Sequence, residues 1–81
     1  MHFFDYKGSK LYAEGVSVEK IAEATGTPVF IYSAKTLARH FKAFDGAFKG
    51  AKHLICYSVK ANSNLSVLKT FSTLGGGFDI V

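Results

Sequence analysis

The sequence is poor in cysteine, in proline and in long apolar runs, and each shortage excludes a class of protein. Its single cysteine, Cys56, cannot form an internal disulfide, which excludes a small disulfide-stabilised secreted scaffold. One proline and 8 glycines are too few for a low-complexity polymer. No apolar stretch approaches the roughly 18 to 20 residues of a membrane span, and the N-terminus does not resemble a secretory signal. We therefore expect a cytoplasmic, reducing environment and no membrane partner.

Basic residues are in excess but are not clustered. Lysine and arginine number 10 against 6 acidic residues, for a net charge of +4, and they are spread from Lys7 to Lys69. Nucleic-acid-binding proteins usually concentrate such charge on one stripe or tail. We therefore expect no nucleic-acid partner. Hydrophobic residues at 48% and charged residues at 20% are instead typical of a globular fold.

Residues 1–25 are predicted to combine short extended pieces with one short helix. Aromatic and aliphatic side chains without helical periodicity lie on both sides of a turn near Gly8-Ser9. Ser17 is a suitable N-cap for a helix over Val18–Ala24, and Gly26 ends that helix. The apolar side chains before the helix have no obvious local partner.

From residue 26 onward the pattern predicts alternating strands and helices. Ser33 and Asn64 are the predicted caps of two helices, over 34–48 and 64–74. The predicted strands are Val29–Tyr32, about His53–Val59 and Phe78–Val81. The first of them lacks polar alternation, which is typical of parallel strands buried on both faces. Three strands cannot close a barrel of about 250 residues, so we expect the N-terminal piece of a larger α/β protein.

Lys60 is the first candidate functional residue, because it lies at the C-terminal end of the second predicted strand. Alternation along the strand places it on the side of the small residues Cys56 and Ser58. In a parallel barrel that side would face inward, and active sites lie at the C-terminal ends of such strands. A desolvated lysine amine can form a Schiff base with a carbonyl. A strand-end lysine that simply extends its charge into solvent fits the same pattern.

Asp79, in the third predicted strand, is the second candidate. A carboxylate near the mouth of a barrel could pair with Lys60 or orient a cofactor. An aspartate that caps a helix or joins an ordinary ion pair is the alternative.

The other polar or reactive residues do not form a recognisable site. The histidines have no ligand spacing with Cys56, so we expect no metal; they are His2, His40 and His53. Cys56 itself is expected to be a small buried apolar residue. Gly75–Gly77 precedes a strand, whereas the dinucleotide-binding glycine loop follows one.

Three segments resemble the pyridoxal-phosphate (PLP) decarboxylases that have an alanine-racemase-like barrel. Residues 56–64, Cys-Tyr-Ser-Val-Lys-Ala-Asn-Ser-Asn, resemble the lysine motif of that family. Residues 26–32 resemble its first-strand signature and residues 74–81 its third strand. The three occur in the family's order, so the resemblance covers roughly residues 15 to 81. Ser58 departs from the motif, since alanine is common there.

The resemblance implies a fold. It identifies residues 26–81 as the first βαβαβ units, incomplete, of a PLP-binding (β/α)8 TIM barrel of the alanine racemase type. Residues 1–25 would pack with a separate C-terminal β-domain. The family further implies a homodimer.

The resemblance also implies an activity, and it is nearest to the members specific for diaminopimelate. These convert meso-2,6-diaminoheptanedioate to L-lysine and CO2, the last step of lysine biosynthesis. By resemblance, Lys60 forms the Schiff base with PLP and Asp79 lies beside the cofactor. Two alternatives remain open at this point. One is a PLP decarboxylase of another basic amino acid, of the ornithine, arginine or carboxynorspermidine type, and the other is a non-catalytic basic binding module.

Overall fold

The computed structural model describes residues 2–80 and contains a small antiparallel sheet and a βαβ unit. In chain order the elements are β1 (Phe4–Lys7), β2 (Lys10–Ala13), β3 (Val16–Ser17), α1 (Val18–Thr25), α2 (Ala34–Ala47), β4 (Cys56–Ser58), α3 (Leu65–Thr73) and β5 (Gly77–Asp79). The chain divides into one compact unit that extends to Thr36 and a second that begins at Leu37. Within the described range, every helix is too short or too polar to span a bilayer.

The sheet of the first unit is a three-stranded meander. β1 and β2 are antiparallel and are joined by Gly8-Ser9, with Lys7 opposite Lys10. Gly8 has φ 65°, a left-handed conformation that favours glycine in two-residue hairpin turns. The turn predicted at Gly8-Ser9 is therefore confirmed. β2 and β3 are also antiparallel, and positive φ angles at both Glu14 and Gly15 form the turn between them.

Helix α1 has the predicted N-cap and the predicted terminating glycine, and it ends at Thr25, one residue later than predicted. The Ser17 hydroxyl oxygen accepts a hydrogen bond from the Lys20 backbone N–H at 3.4 Å. At the other end, Gly26 has φ 82° and donates its N–H to the Ala22 carbonyl at 2.8 Å. A hydroxyl cap at the start and a glycine after the last turn satisfy backbone groups that a short helix cannot satisfy itself.

The start of helix α2 is capped twice. The buried Ser33 accepts from the Thr36 N–H at 3.0 Å, which confirms the predicted cap. The Glu14 carboxylate in turn accepts from the Ser33 hydroxyl at 2.6 Å and from the Lys35 N–H at 3.0 Å. The bond from Ser33, followed by that from Lys35, lowers the pKa of Glu14. This second cap comes from 19 residues earlier in the chain, so local sequence patterns did not predict it.

The prediction of a strand at Val29–Tyr32 is wrong. Residues 29–33 belong to no strand, and the side chain of Phe30 is 90% exposed. The β-branched and aromatic composition gives this segment a strand propensity, but a strand also needs a neighbour that bonds its backbone. No strand among residues 2–80 pairs with it.

The second unit contains the predicted parallel βαβ arrangement. β4 and β5 pair in parallel, with Tyr57 opposite Phe78, and α3 connects them. β4 is shorter than the predicted His53–Val59, because only Cys56–Ser58 has backbone partners in β5. β5 begins one residue before the predicted strand Phe78–Val81 and ends at Asp79, so the prediction for Ile80 is wrong, and Val81 lies outside the described residues.

An aromatic cluster joins the strands of the second unit to its helices. The Tyr57 ring stacks on Phe71 of α3, with centroids 4.4 Å apart and an interplanar angle of 23°. Phe71 also contacts the buried Phe41 of α2, at a centroid distance of 6.1 Å. The face of β4 that carries Tyr57 therefore meets the helices. Phe44 of α2 and Phe48, which follows the helix, remain 56% and 44% exposed.

Two glycines end helix α3 and allow close packing after it. Gly75 has φ 90° and donates its N–H to the Ser72 carbonyl, while Gly76 donates to the Phe71 carbonyl at 2.9 Å. This pair of bonds is a Schellman motif. A Cβ at Gly76 would lie 3.0 Å from the Phe41 ring and 3.1 Å from the Phe71 carbonyl oxygen. The end of α3 thus has no room for a side chain at this position.

We expect Gly76→Ala to destabilise the full-length protein by roughly 1–3 kcal/mol, since the added methyl group must displace backbone or a packed ring. Gly46→Ala is the matched control, because Gly46 lies in α2 with open space around its Cα. That substitution should be neutral or stabilise by roughly 0.5–1 kcal/mol. Denaturant unfolding of both variants measures the two effects. Equal changes in the two would contradict the packing described at Gly76.

Candidate active site

Lys60 lies just beyond the end of β4, in a single 3-10 turn formed by Val59–Ala61. Its side chain is exposed. The sequence predicts Lys60 at the C-terminal end of a strand that reaches Val59, whereas the strand ends at Ser58 and Val59 already belongs to the turn. The ladder between β4 and β5 ends at the pair Ser58–Asp79, so the backbone is free to turn from Val59 onward.

Three hydrogen bonds fix the segment that carries Lys60. The Tyr57 hydroxyl donates to the Asn62 carbonyl at 3.0 Å, across the turn. The Asn62 side-chain oxygen accepts from the Asn64 N–H at 2.8 Å. The Asn64 side-chain oxygen then accepts from the Ser66 N–H at 2.9 Å and caps α3, which confirms the predicted cap. Lys60 is thus held between a paired strand on one side and a capped helix on the other.

Asp79 lies on the strand next to the one that leads to Lys60. It is the last residue of β5 and is in register with Ser58, two residues before the lysine. Tyr57 contacts α3, so alternation places Ser58 and its partner Asp79 on the opposite face of the two strands. Neighbouring strands are about 4.8 Å apart. The fold therefore brings an amine and a carboxylate to the same carboxyl edge of a parallel strand pair.

Cys56 is exposed, which contradicts the expectation that it is buried. It lies on the face of β4 away from α3, and the described strands leave that face uncovered. It also borders an apolar cavity of about 250 Å³ at the start of β4, lined by Phe44, Phe48, His53, Leu54, Ile55 and Cys56. Neither Lys60 nor Asp79 lines this cavity, so it is separate from the candidate site.

His53 is held by neighbouring acceptors in the second unit. Its Nδ1 lies 2.8 Å from the Ala51 carbonyl oxygen and its Nε2 lies 2.6 Å from an Asp45 carboxylate oxygen. Both partners are acceptors, so the protonated ring satisfies both contacts. The Ala51 carbonyl first, and then Asp45, raise the pKa of His53. Across residues 2–80, no three His, Cys, Asp or Glu side chains come together as a metal site.

The raised pKa of His53 predicts a pH-dependent stability. A histidine whose pKa is higher in the folded state stabilises that state to its full extent when the pH is below the pKa of the unfolded state, which is about 6.5. That contribution is lost as the pH rises through the folded-state pKa. Denaturant unfolding of the full-length protein and of His53→Gln, between about pH 5.5 and 8.5, should give a stability difference that is largest at acidic pH. A difference that does not vary with pH would contradict the charged contact.

The sequence pattern predicts Lys60 and Asp79 as site residues but indicates no role for Tyr57 or Asn62. Both stand in the motif that carries the lysine, yet the bond between them joins a strand residue to a backbone carbonyl five positions later. One local signal was available. The side-chain oxygen of an asparagine often accepts a hydrogen bond from the backbone N–H two residues later, as that of Asn62 does from Asn64.

The chain is similar in sequence to a known family and to curated relatives. Residues 34–81 match the family described as pyridoxal-dependent decarboxylase, pyridoxal binding domain. The chain is similar to the diaminopimelate decarboxylase of Haemophilus influenzae, with 54% identity over 81 residues, which is 100% of this chain and 20% of the relative. The corresponding enzyme of Pseudomonas fluorescens is 48% identical, again over 100% of this chain and 20% of the relative.

Solved structures give the same result. A crystal structure from Aquifex aeolicus has a TM-score of 0.88 and 42% identity, covering 98% of this chain and 19% of the other. Diaminopimelate decarboxylase from M. jannaschi has a TM-score of 0.90 and 27% identity, covering 98% and 20%. This chain therefore spans about a fifth of the length of its relatives. Because the family match covers more than half of the chain, this chain belongs to the pyridoxal-dependent decarboxylases.

Proposed function

We propose that this chain supplies the amine-bearing part of an enzyme that decarboxylates meso-2,6-diaminoheptanedioate to L-lysine and CO2. The observation that carries the proposal is the position of Lys60, in a hydrogen-bonded turn at the carboxyl edge of a parallel strand pair. The substrate follows from the relatives that match the whole chain, which are named diaminopimelate decarboxylases.

The residues at this edge fit PLP as a cofactor. The Lys60 side chain offers a primary amine, the group that condenses with the aldehyde of PLP, and its exposure leaves it accessible. Asp79 offers a carboxylate on the adjoining strand that can orient the bound ring. When bound, PLP supplies an electron-accepting ring that takes up the electron pair left on the substrate carbon after CO2 departs.

In this proposal Lys60 has two tasks. Its Nζ would hold PLP covalently before substrate binds, since a lysine amine can join the aldehyde of that cofactor. Once free of PLP, the same Nζ would be available to move a proton to or from the substrate carbon. The fixed ends of the Val59–Ala61 turn keep Nζ near the site while it is detached.

The larger architecture belongs to the same proposal. We place residues 26–81 at the start of a (β/α)8 barrel and residues 1–25 with a separate β-domain, in a cytoplasmic homodimer. The parallel pair β4–β5 with α3 between them supports the barrel, because such barrels are built from parallel strands that are each followed by a helix.

Substrate comparison tests the proposed reaction. The full-length enzyme is assayed for CO2 release with meso-2,6-diaminoheptanedioate, L-ornithine, L-arginine and carboxynorspermidine, each with added PLP. We expect kcat/KM to be highest for diaminoheptanedioate. A higher kcat/KM for one of the other three compounds would identify that compound as the substrate and leave the reaction type unchanged. No turnover of any of the four compounds would contradict the proposed activity.

Asp79→Asn should weaken PLP binding by roughly 10- to 100-fold, the loss expected for one hydrogen bond to a charged group. Asparagine keeps the size of the side chain and removes its charge. Asp5→Asn is the matched control, since Asp5 lies on an exposed position of β1. The measurement is titration of the apoenzyme with PLP. Equal PLP affinities for the two variants would remove Asp79 from the proposed site.

A further inference from the structure

The turn that carries Lys60 has little of its own to hold it in place. It consists of three residues, Val59–Ala61, and both Lys60 and Ala61 are exposed. A 3-10 turn of this length has few internal hydrogen bonds, and their geometry is poor. The position of the lysine amine therefore depends on what fixes the two ends of the turn.

Tyr57 connects one end of this turn to the aromatic cluster. Its ring stacks on Phe71 of α3 at a centroid distance of 4.4 Å, so the side chain is held on the helix side of β4. Its hydroxyl reaches past the turn and donates to the Asn62 carbonyl at 3.0 Å. Asn62 is the residue directly after the turn, and its own side chain bonds to the N–H of Asn64. One tyrosine thus links the packed helix to the backbone that follows Lys60.

We propose that Tyr57 is a positioning residue for Lys60, acting through the hydrogen bond from its hydroxyl to the Asn62 carbonyl. This inference rests on the proposed function of Lys60. In the step that it assists, the lone pair of the neutral Lys60 amine forms a bond to the aldehyde carbon of PLP. Both amine protons leave with the aldehyde oxygen as water, and a carbon–nitrogen double bond remains.

The hydrogen bond matters because it restricts where the amine can be. When only a fraction of molecules holds the competent geometry, the apparent dissociation constant rises in inverse proportion to that fraction. Without this bond, Ser58 is still paired with β5, and Asn62 and Asn64 keep their side-chain hydrogen bonds. The segment 59–62 then has no hydrogen bond from Tyr57 to hold its two ends together. Fewer molecules then present Nζ to the aldehyde.

Tyr57→Phe in the full-length enzyme tests the inference, because it removes the hydroxyl and keeps the stacked ring. Tyr6→Phe is the matched control, since Tyr6 is 72% exposed on β1. Apoenzymes are titrated with PLP well below their melting temperatures, and the linked form is trapped by borohydride and mapped. We expect Tyr57→Phe to bind PLP roughly three- to tenfold more weakly, the range for one lost hydrogen bond, and to link it more slowly. Tyr6→Phe should match the wild type.

The outcomes separate this inference from the function on which it rests. A purely structural role would lower the melting temperature of Tyr57→Phe apoenzyme and leave its PLP affinity unchanged, and that result would overturn the inference alone. Absence of a trapped adduct at Lys60 in the wild type would overturn both. If Tyr57→Phe does not fold, 4-fluorophenylalanine at position 57 decides, because its fluorine fills the space of the hydroxyl but cannot donate to the Asn62 carbonyl. Wild-type PLP affinity in that variant would also overturn the inference.

Discussion

Lys60→Ala in the full-length enzyme should abolish covalent attachment of PLP and lower kcat by about three orders of magnitude or more. The substitution removes the single amine that is proposed both to bind the cofactor and to move the proton. Lys60→Arg should not restore activity, because a guanidinium is always protonated in proteins and cannot act as a free amine. Steady-state CO2 release and the absorbance of bound PLP measure the two effects.

The control for this prediction is Lys69→Ala. Lys69 is an exposed lysine of helix α3 in the same unit, and it lies outside the turn that carries Lys60. Its removal changes the net charge by the same amount and should leave turnover within about twofold, as for most surface substitutions. Wild-type turnover in Lys60→Ala would refute the assignment of Lys60, whatever the control shows.

The 81-residue chain, expressed alone, should neither fold as a stable monomer nor release CO2. Its described residues contain only three buried apolar side chains, Ala13, Phe41 and Val67, and none is less than 2% exposed. A short chain must bury enough apolar area to offset roughly 1.5 kcal/mol of ordering entropy per residue. The second unit instead leaves Leu54 69% and Ile80 86% exposed.

The strand pair of that unit adds to the instability. β4 and β5 form a sheet of two strands, so each has one edge whose backbone groups are unpaired. Two-stranded sheets are marginal by themselves, and open apolar edges favour association between chains. Circular dichroism melts and light scattering of residues 1–81 should show no cooperative transition and a mixture of oligomers. A cooperative melt of a monomer would contradict this expectation, and PLP-dependent CO2 release above that of free PLP would contradict its catalytic part.

The features predicted correctly from the sequence are those determined by near neighbours. Ser17, Ser33 and Asn64 bond to N–H groups two or three residues later, so residue type and spacing are sufficient to identify them. The glycine that ends α1 and the one in the first hairpin have positive φ angles, which few other residues adopt at low cost. The parallel βαβ order followed from the buried strand patterns with a helix between them.

The errors concern features that depend on distant partners. Val29–Tyr32 has strand-forming residues but no pairing strand, and Cys56 has an apolar character but no covering layer. The end of β4 was placed one residue too late because its length is set by β5, which lies about twenty residues further on. The contact of Glu14 with the cap of α2 and that of Tyr57 with Asn62 depend on side-chain reach, which a one-dimensional pattern does not contain.

Reductive trapping of the full-length enzyme tests the central claim, that Lys60 carries the cofactor. The PLP-loaded enzyme is reduced with borohydride, digested with trypsin and mapped by mass spectrometry. Trypsin cleaves after free lysine, so modification of Lys60 should remove the peptides 53–60 and 61–69 and produce one peptide, 53–69, with the mass of reduced PLP added. A reduced adduct on any other lysine, or both short peptides intact in enzyme that still turns over, would contradict the assignment.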